Sequence, residues 1–321
     1  MQHQQQRHQL VRIARIKQHV RVFKSKQRPR TITIVGSNGV EYQFLLKGHE
    51  DLRQDERAMQ FFKLVNTLLG KDEECARDHL KIVTYSVVPL SPNTGLIGWV
   101  LHSDTFHELV REYREWKGIP INQESAMMRD MTPFFELLTL MQKVELLQTV
   151  LARTDGMDMR NILWRRSPNT EKWLLRRLEF TRSLAVMSMV GHILGIGDRH
   201  NDNIMVDHAG HLFHIDFGHI LGNAEKWKGF KRDRAPFVLT PEFVYVMGGK
   251  DSDNFRRFCE VACRAYVLIR GKNQTFVNLF SMMLHTDIPE IRSEDDLAYL
   301  QAAFHLDMSE AEAYDVFAKL I

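Results

Sequence analysis

The polar loop Gly197-Asp198-Arg199-His200-Asn201-Asp202-Asn203 is followed, after two short apolar runs, by Ile215-Asp216-Phe217-Gly218. The runs, Ile204–Val206 and Leu212–Ile215, flank Ala209-Gly210 and read as a strand-turn-strand. A hairpin at this place must return Asp216 to the neighbourhood of Asn203, whatever the rest of the chain does. Those two side chains offer one carboxylate and one amide oxygen. That donor set suits Mg²⁺, which keeps water and substrate phosphates in its remaining positions. Asp198, five residues before Asn203, is placed as the acid of a catalytic loop, and His200 as a donor to a phosphate oxygen. Phosphoryl transfer from ATP requires such parts: phosphate positioning, metal ligands and a group to receive the hydroxyl proton.

Upstream, the pattern predicts strands. Thr31–Val35 alternates, Gly36-Ser37-Asn38-Gly39 supplies a turn, and Glu41–Leu46 resumes the alternation. Lys47 ends that second run, where its ammonium could reach nucleotide phosphates, and Glu50, Asp51 and Asp55 follow as carboxylates to hold it. The turn residues Gly36 and Ser37 are candidates to approach the same phosphates. A helix is expected over Leu52–Leu69, then strands over Lys81–Leu90 and Gly95–Leu101. Beyond Val100 the pattern is mostly helical: Asp104–Trp116, Thr139–Thr154, Glu171–Leu194, Pro241–Met247, Asn254–Arg270 and Thr275–Leu284. The fold class is therefore α+β, in two lobes: a small β-rich N-lobe over residues 25–98 and a larger, mostly helical C-lobe over 99–321. The catalytic loop spans 197–205 and the activation segment 216–237, and a ligand cleft is expected between the lobes.

Composition narrows the remaining choices. Three cysteines in 321 residues make no disulfide framework and suit a reducing, cytoplasmic setting. Residues 1–10 are Gln- and His-rich and do not form a secretory leader. Ser183–Ile196, the longest apolar run, is too short for a bilayer span and reads as a buried core helix. Residues 1–24 are expected to be a basic lead-in, poorly ordered or marginally helical. No acidic residue occurs before Glu41, so this block could meet acidic lipid, nucleic acid or an acidic protein, or simply be solvated.

The catalytic loop resembles that of kinases, with Asp-Arg-His where protein kinases carry His-Arg-Asp. This order is characteristic of the phosphoinositide 3- and 4-kinases and their protein-phosphorylating relatives. Ser25-Lys26-Gln27-Arg28-Pro29-Arg30, the run Leu45–Arg57, Gly95-Leu96-Ile97-Gly98-Trp99-Val100, Leu138–Glu145 and Thr181–Gly191 resemble target-of-rapamycin kinases. From about Gly195, Gly195–Met205, His214–His219 and Phe230–Thr240 resemble phosphoinositide 3-kinases, most closely class II members. The resemblance implies a two-lobed protein-kinase-like fold using ATP and Mg²⁺, with Mn²⁺ as an alternative ion. It implies that Lys47 contacts the α/β-phosphates, supported by Glu50 and Asp55, with Tyr85 beside Asp55. Gly98, Trp99 and Val100 would form the hinge, Val100 through its backbone and Trp99 against adenine, above a floor of Met205 and Ile215. Asp198 would orient or deprotonate the attacking hydroxyl, His200 would steady the transferring phosphoryl group, and Asn203 and Asp216 would hold the ion.

The acceptor is read from the segment after Asp216. Lys226, Lys228, Lys231, Arg232 and Arg234 stand there against only Glu225 and Asp233, suiting an inositol-phosphate headgroup and transient contact with an anionic membrane. The resemblance of Lys231-Arg232-Asp233-Arg234 to the lipid kinases' headgroup segment implies phosphatidylinositol or its 4-phosphate, phosphorylated at the 3-hydroxyl. The alternative is a protein serine/threonine kinase of target-of-rapamycin type. A non-catalytic scaffold is a third reading, opposed by the presence of Lys47, Asp198, Asn203 and Asp216. No nucleic acid partner is expected, and no regulatory partner is indicated.

Overall fold

The computed structural model describes residues 10–24, 27–223, 226–227, 230–231, 235–284, 286, 288, 291 and 294–321. The chain divides into two compact units, Met1–Phe61 with Thr84–Leu101, and Phe62–Val83 with His102–Ile321. One carries a sheet and the other is mostly helical, the element order of a two-lobed kinase-like α+β fold.

The first unit is built on the strands β1 (Ile13–Ile16), β2 (Arg21–Val22), β3 (Arg30–Gly36), β4 (Glu41–Gly48), β5 (Val87–Ser91) and β6 (Thr94–Gly98). They are antiparallel in the order β1-β3-β4-β6-β5, with β2 also on β3. The predicted hairpin is present, pairing Arg30 with Leu46 through Val35 with Glu41. Gly39 makes the turn at a φ of 77°, which glycine adopts without penalty. Helix α1 (Arg53–Leu69) starts in this unit and ends in the second. Leu52, Ala58, Met59 and Phe61 are buried.

Two expectations change here. Where a poorly ordered or helical lead-in was expected, β1 and β2 pair with β3, because its outer edge offers unpaired backbone groups. Lys17 anchors the stretch through an ion pair to Glu41. Of the strand expected over Lys81–Leu90, only Val87 onward joins a ladder. Ahead of it the Asn66 amide bonds both backbone groups of Ile82, at 2.9 and 2.7 Å, taking the place of a neighbouring strand.

The second unit comprises α2 (Glu73–Arg77), β7 (Ser103–Thr105), α3 (Phe106–Lys117), α4 (Gln123–Met131), α5 (Leu140–Arg153), α6 (Asp158–Arg165) and α7 (Thr170–Leu194). It continues through β8 (Ile204–Asp207), β9 (Leu212–His214), β10 (Lys226–Trp227), β11 (Phe230–Lys231), α8 (Pro241–Met247), α9 (Asp253–Arg270), α10 (Asn273–Ser281), α11 (Glu294–Ala303) and α12 (Glu310–Ala318). The 62–83 segment packs here, outside the continuous N-lobe read from the sequence. Phe62 meets Phe217 edge-on, and Asp78 bonds Arg257 and Arg264 of α9.

The centre of the unit is the last half of α7. Ser183 through Ile196 is buried throughout, as expected for a helix with no polar face. Asn169 caps its start, and Gly195, at φ 58°, ends it by turning the chain into the catalytic loop. Burial holds the Cys75 thiol up at about 12 and Cys263 at about 11, so both stay protonated and act as packing groups. Among the described residues no helix is long and apolar enough to cross a membrane.

Candidate active site

In the second unit, a three-stranded sheet of β7, β8 and β9 carries the loop and the Asp-Phe-Gly segment at one end. Pairing of Ile204 with His214 and Met205 with Phe213 fixes the hairpin. One step beyond, the Ile215 N–H donates to the Asn203 carbonyl at 3.1 Å. The sequence therefore brings Asn203 and Asp216 to the same end of the hairpin, as its pattern predicts. Asn203 is buried, and its Nδ2 donates to the Asp198 carbonyl at 3.0 Å. That bond uses the amide nitrogen and directs Oδ1 elsewhere, as a ligand oxygen requires.

His200 Nδ1 accepts the Asp202 N–H at 3.2 Å. The neutral ring then carries its hydrogen on Nε2, and that nitrogen stands 4.0 Å from the Asp198 carboxylate with half its side chain exposed. Asp198 and Asp216 have φ of 55° and 62°, in the left-handed region that side chains seldom occupy. Met205 and Ile215 are half-buried beside them.

Arg199, which sequence reasoning passed over, ties these parts together. Its Nε donates to the Gly197 carbonyl and one terminal nitrogen to Ile215, both at 2.7 Å, and the other donates to the Asp216 carbonyl. The guanidinium also lies 5.7 Å from the Phe217 ring centre, and Phe217 is fully buried. The signal was its place between Asp198 and His200, where a side chain with a rigid fork of donors can bond several carbonyls at once.

In the first unit, Lys47 bonds Glu50 at 3.1 Å with both side chains mostly buried. Asp55 and Tyr85 are buried in the same unit. Gly36 closes its turn by accepting the Gly39 N–H and donating to Val40. Ser37 is bound to β1: its hydroxyl accepts the Arg12 N–H, and its own N–H donates to the Arg12 carbonyl. Trp99 is part-exposed, donates its N–H to Gln43, and stacks on Phe23 at 5.8 Å, a neighbour the sequence pattern gave no reason to expect. Val100 follows it, half-buried.

Of the basic residues after Asp216, Lys228, Arg232 and Arg234 lie outside the described residues. Lys226 and Lys231 are backbone partners across β10 and β11. Among the described residues no group of three or more His, Cys, Asp or Glu gathers as a metal cage. The Asn203–Asp216 pair instead fits an ion that takes few protein oxygens and completes its shell with water and phosphate.

Residues 41–293 match the family described as phosphatidylinositol 3- and 4-kinase. The chain belongs to that family. It is 51% identical over 254 residues to "Serine/threonine-protein kinase mTor" of Drosophila melanogaster, covering 78% of this chain and 10% of that protein. It is 57% identical over 143 residues to "Phosphatidylinositol 3-kinase 3" of Dictyostelium discoideum, covering 44% of this chain and 8% of that one. Against "Phosphatidylinositol 3-kinase 1" of the same organism it is 36% identical over 299 residues, 92% of this chain and 17% of the relative. The chain thus spans about a tenth of the length of the target-of-rapamycin relatives it matches. Membership in the family makes it a kinase domain, a phosphotransferase. On the acceptor, the target-of-rapamycin kinases fit better than the lipid reading drawn first from the sequence: they align over 78% and 74% of the chain at 51% and 50% identity, whereas the two phosphatidylinositol 3-kinases either cover 44% of it or are 36% identical.

Proposed function

We propose that this chain phosphorylates serine or threonine hydroxyls of proteins, using ATP and Mg²⁺, as the catalytic domain of a target-of-rapamycin-type kinase. The similarity to protein kinases across about three quarters of the chain carries this reading.

Asp198 accepts or orients the acceptor's hydroxyl proton. Its carboxylate sits on a loop whose backbone is pinned by Asn203. His200, with hydrogen on Nε2, donates to an oxygen of the transferring phosphoryl group. Lys47, held by Glu50, places its charge on the phosphates nearer the base. Oδ1 of Asn203 and the Asp216 carboxylate would hold the ion, which would supply charge neutralisation at the phosphates. Trp99 and Val100 receive the adenine, and Met205 and Ile215 floor it.

A second reading, a phosphatidylinositol 3-kinase, is favoured by the five basic residues between Lys226 and Arg234 and by the 57% identity to a phosphoinositide 3-kinase. One assay separates the two. Purified chain, Mg²⁺ and labelled ATP are offered a serine/threonine protein substrate, phosphatidylinositol vesicles and phosphatidylinositol 4-phosphate vesicles in parallel, with Asp216→Ala as blank. Protein labelling that vanishes in the blank is expected. Lipid labelling alone would overturn the proposal in favour of the second reading, and silence in all three would leave a scaffold.

A further inference from the structure

The sheet of the first unit has two unlike faces. Cross-strand register places Arg15 with Val35 and Arg21 with Thr31 on one of them, and Leu45 and Lys47 alternate onto the same side. The other face carries Ile13 opposite Gly36, Ile16 opposite Ile34, Val22 opposite Arg30, and Tyr42 opposite Ile34. Val88 joins it through the pairs Val88–Leu96, Leu96–Leu46 and Leu46–Arg30. This second face is covered unevenly: Ile34 is buried and Ile32, Phe44, Leu46 and Leu96 are half-buried, whereas Ile13 is 69% exposed, Ile16 59%, Val22 50%, Val88 42% and Tyr42 38%. Exposed apolar side chains are ordinary singly, but Ile13, Ile16 and Tyr42 gather around Gly36 and Ile34 with Val22 further along the same face, a set that calls for a partner.

Charge identifies the partner. Arg30 is exposed on this face beside Val22, and Lys24 and Arg28 are exposed where β2 turns into β3. No acidic residue precedes Glu41 in the sequence, and Glu41 lies on the opposite face, paired with Lys17. The face is therefore apolar and exposed along β1, cationic at the β2 end, and without a carboxylate on its strand positions. Isoleucine and valine can enter the acyl boundary while arginine and lysine stems reach back to phosphates, with no matched groove required.

We propose that this outer sheet face docks the domain on an anionic membrane surface. The site shares no residue with the basic segment after Asp216 and does not depend on which acceptor the kinase uses.

The purified chain, without nucleotide, is sedimented with phosphatidylcholine vesicles made with and without phosphatidylserine. Binding is expected only with phosphatidylserine. Ile13→Ser combined with Val22→Ser should lower the partition coefficient about tenfold, from the lost apolar burial. Arg30→Gln should lower it roughly fivefold, the effect of one cation near such a surface. Because both serines fall at the sheet edge, Val22→Trp gives an independent readout: its added fluorescence should shift to the blue on phosphatidylserine vesicles. Unchanged binding of the double variant, or unmoved Val22→Trp emission, would overturn the proposal. Binding abolished by Lys226→Gln with Lys231→Gln but intact in the double variant would move the site to the segment after Asp216. A polyglutamate peptide that shifts the Val22→Trp emission as vesicles do, and displaces them, would show an acidic protein to be the partner.

Discussion

Arg199 and Asp216 are joined through the backbone, the guanidinium donating to the Asp216 carbonyl while its other terminal nitrogen donates to Ile215 at 2.7 Å. Asp216 sits at φ 62°, so its carboxylate is aimed by a peptide that these bonds hold in an uncommon conformation. Arg199 thus sets, through the backbone, the direction of a proposed metal ligand.

Arg199→Lys keeps the charge but loses the fork that spans several carbonyls. Turnover is expected to fall about 10- to 100-fold, the range for outer partners of metal ligands, while the fold survives. Steady-state kinetics over a Mg²⁺ titration checks this. The Mg²⁺ requirement should rise, which loss of stability alone would not produce.

Asn203→Ala removes both a proposed ligand oxygen and the 3.0 Å bond to the Asp198 carbonyl. We expect the Mg²⁺ concentration for half-maximal rate to rise about tenfold or more and turnover to drop as well. Unaltered metal dependence would remove Asn203 from the ion site.

His192, buried among Tyr266, His305 and Phe317, has its pKa pushed down to about 4 by burial, with His305 adding to the shift. An unfolded histidine takes up its proton near pH 6.5, so between about 6.5 and 4 the unfolded state binds a proton that the fold refuses. Stability should therefore decline with falling pH across that window, by up to about 3 kcal/mol. His192→Leu should flatten this acid limb in urea melts at successive pH values, and an unchanged slope would refute the assignment.

His211 behaves in the opposite sense. Its bond to Asp207 at 2.8 Å, chiefly, with Glu179 nearby, raises its pKa, and Asp207 is lowered by the same contact although burial opposes it. The pair is stabilising below the ordinary histidine pKa and fades as pH rises through the raised one. It also fades in acid as Asp207 protonates. His211→Gln should cost about 1 kcal/mol near pH 5.5, allowing for partial exposure, and little at pH 9, by thermal melts at both.

Much of the second unit's site was legible because hairpin and ligand spacing are local. Asn203, the β8–β9 turn and Asp216 lie within one short stretch, apolar spacing suited α5 and α9, and a continuous apolar run marked α7. Arg199 was passed over, since its place between Asp198 and His200 hints at a role but not at which carbonyls it bonds. Strands β1 and β2 were missed because both are exposed on both faces, so no alternation of apolar and polar residues marks them. Helices α2, α4, α6, α11 and α12 escaped, although the seven-residue α8 did not; the cap that declares α12, Ser309 with Glu312, is a pattern the apolar-period reading did not weigh.

Gly195 has φ 58°, and a Cβ there would fall 2.4 Å from the Gly222 nitrogen and 2.5 Å from the Tyr299 ring. Gly195→Ala is expected to destabilise the second unit by about 2–4 kcal/mol, combining backbone strain with overpacking. A urea midpoint near wild type would show that Tyr299 moves aside without penalty. Tyr299→Ala in the same background should restore part of the loss.

Asp198 and Asp216 each hold a Cβ in backbone territory that glycine enters freely, at a cost of about 1 kcal/mol or more per position. Directed evolution of this domain for heat resistance would therefore find easy gains at the two positions to which the proposed chemistry is assigned. A library screened on melting temperature alone would enrich Asp198→Gly and Asp216→Gly chains, sturdier and inert. Selection must then couple survival on heating to phosphate transfer in every round.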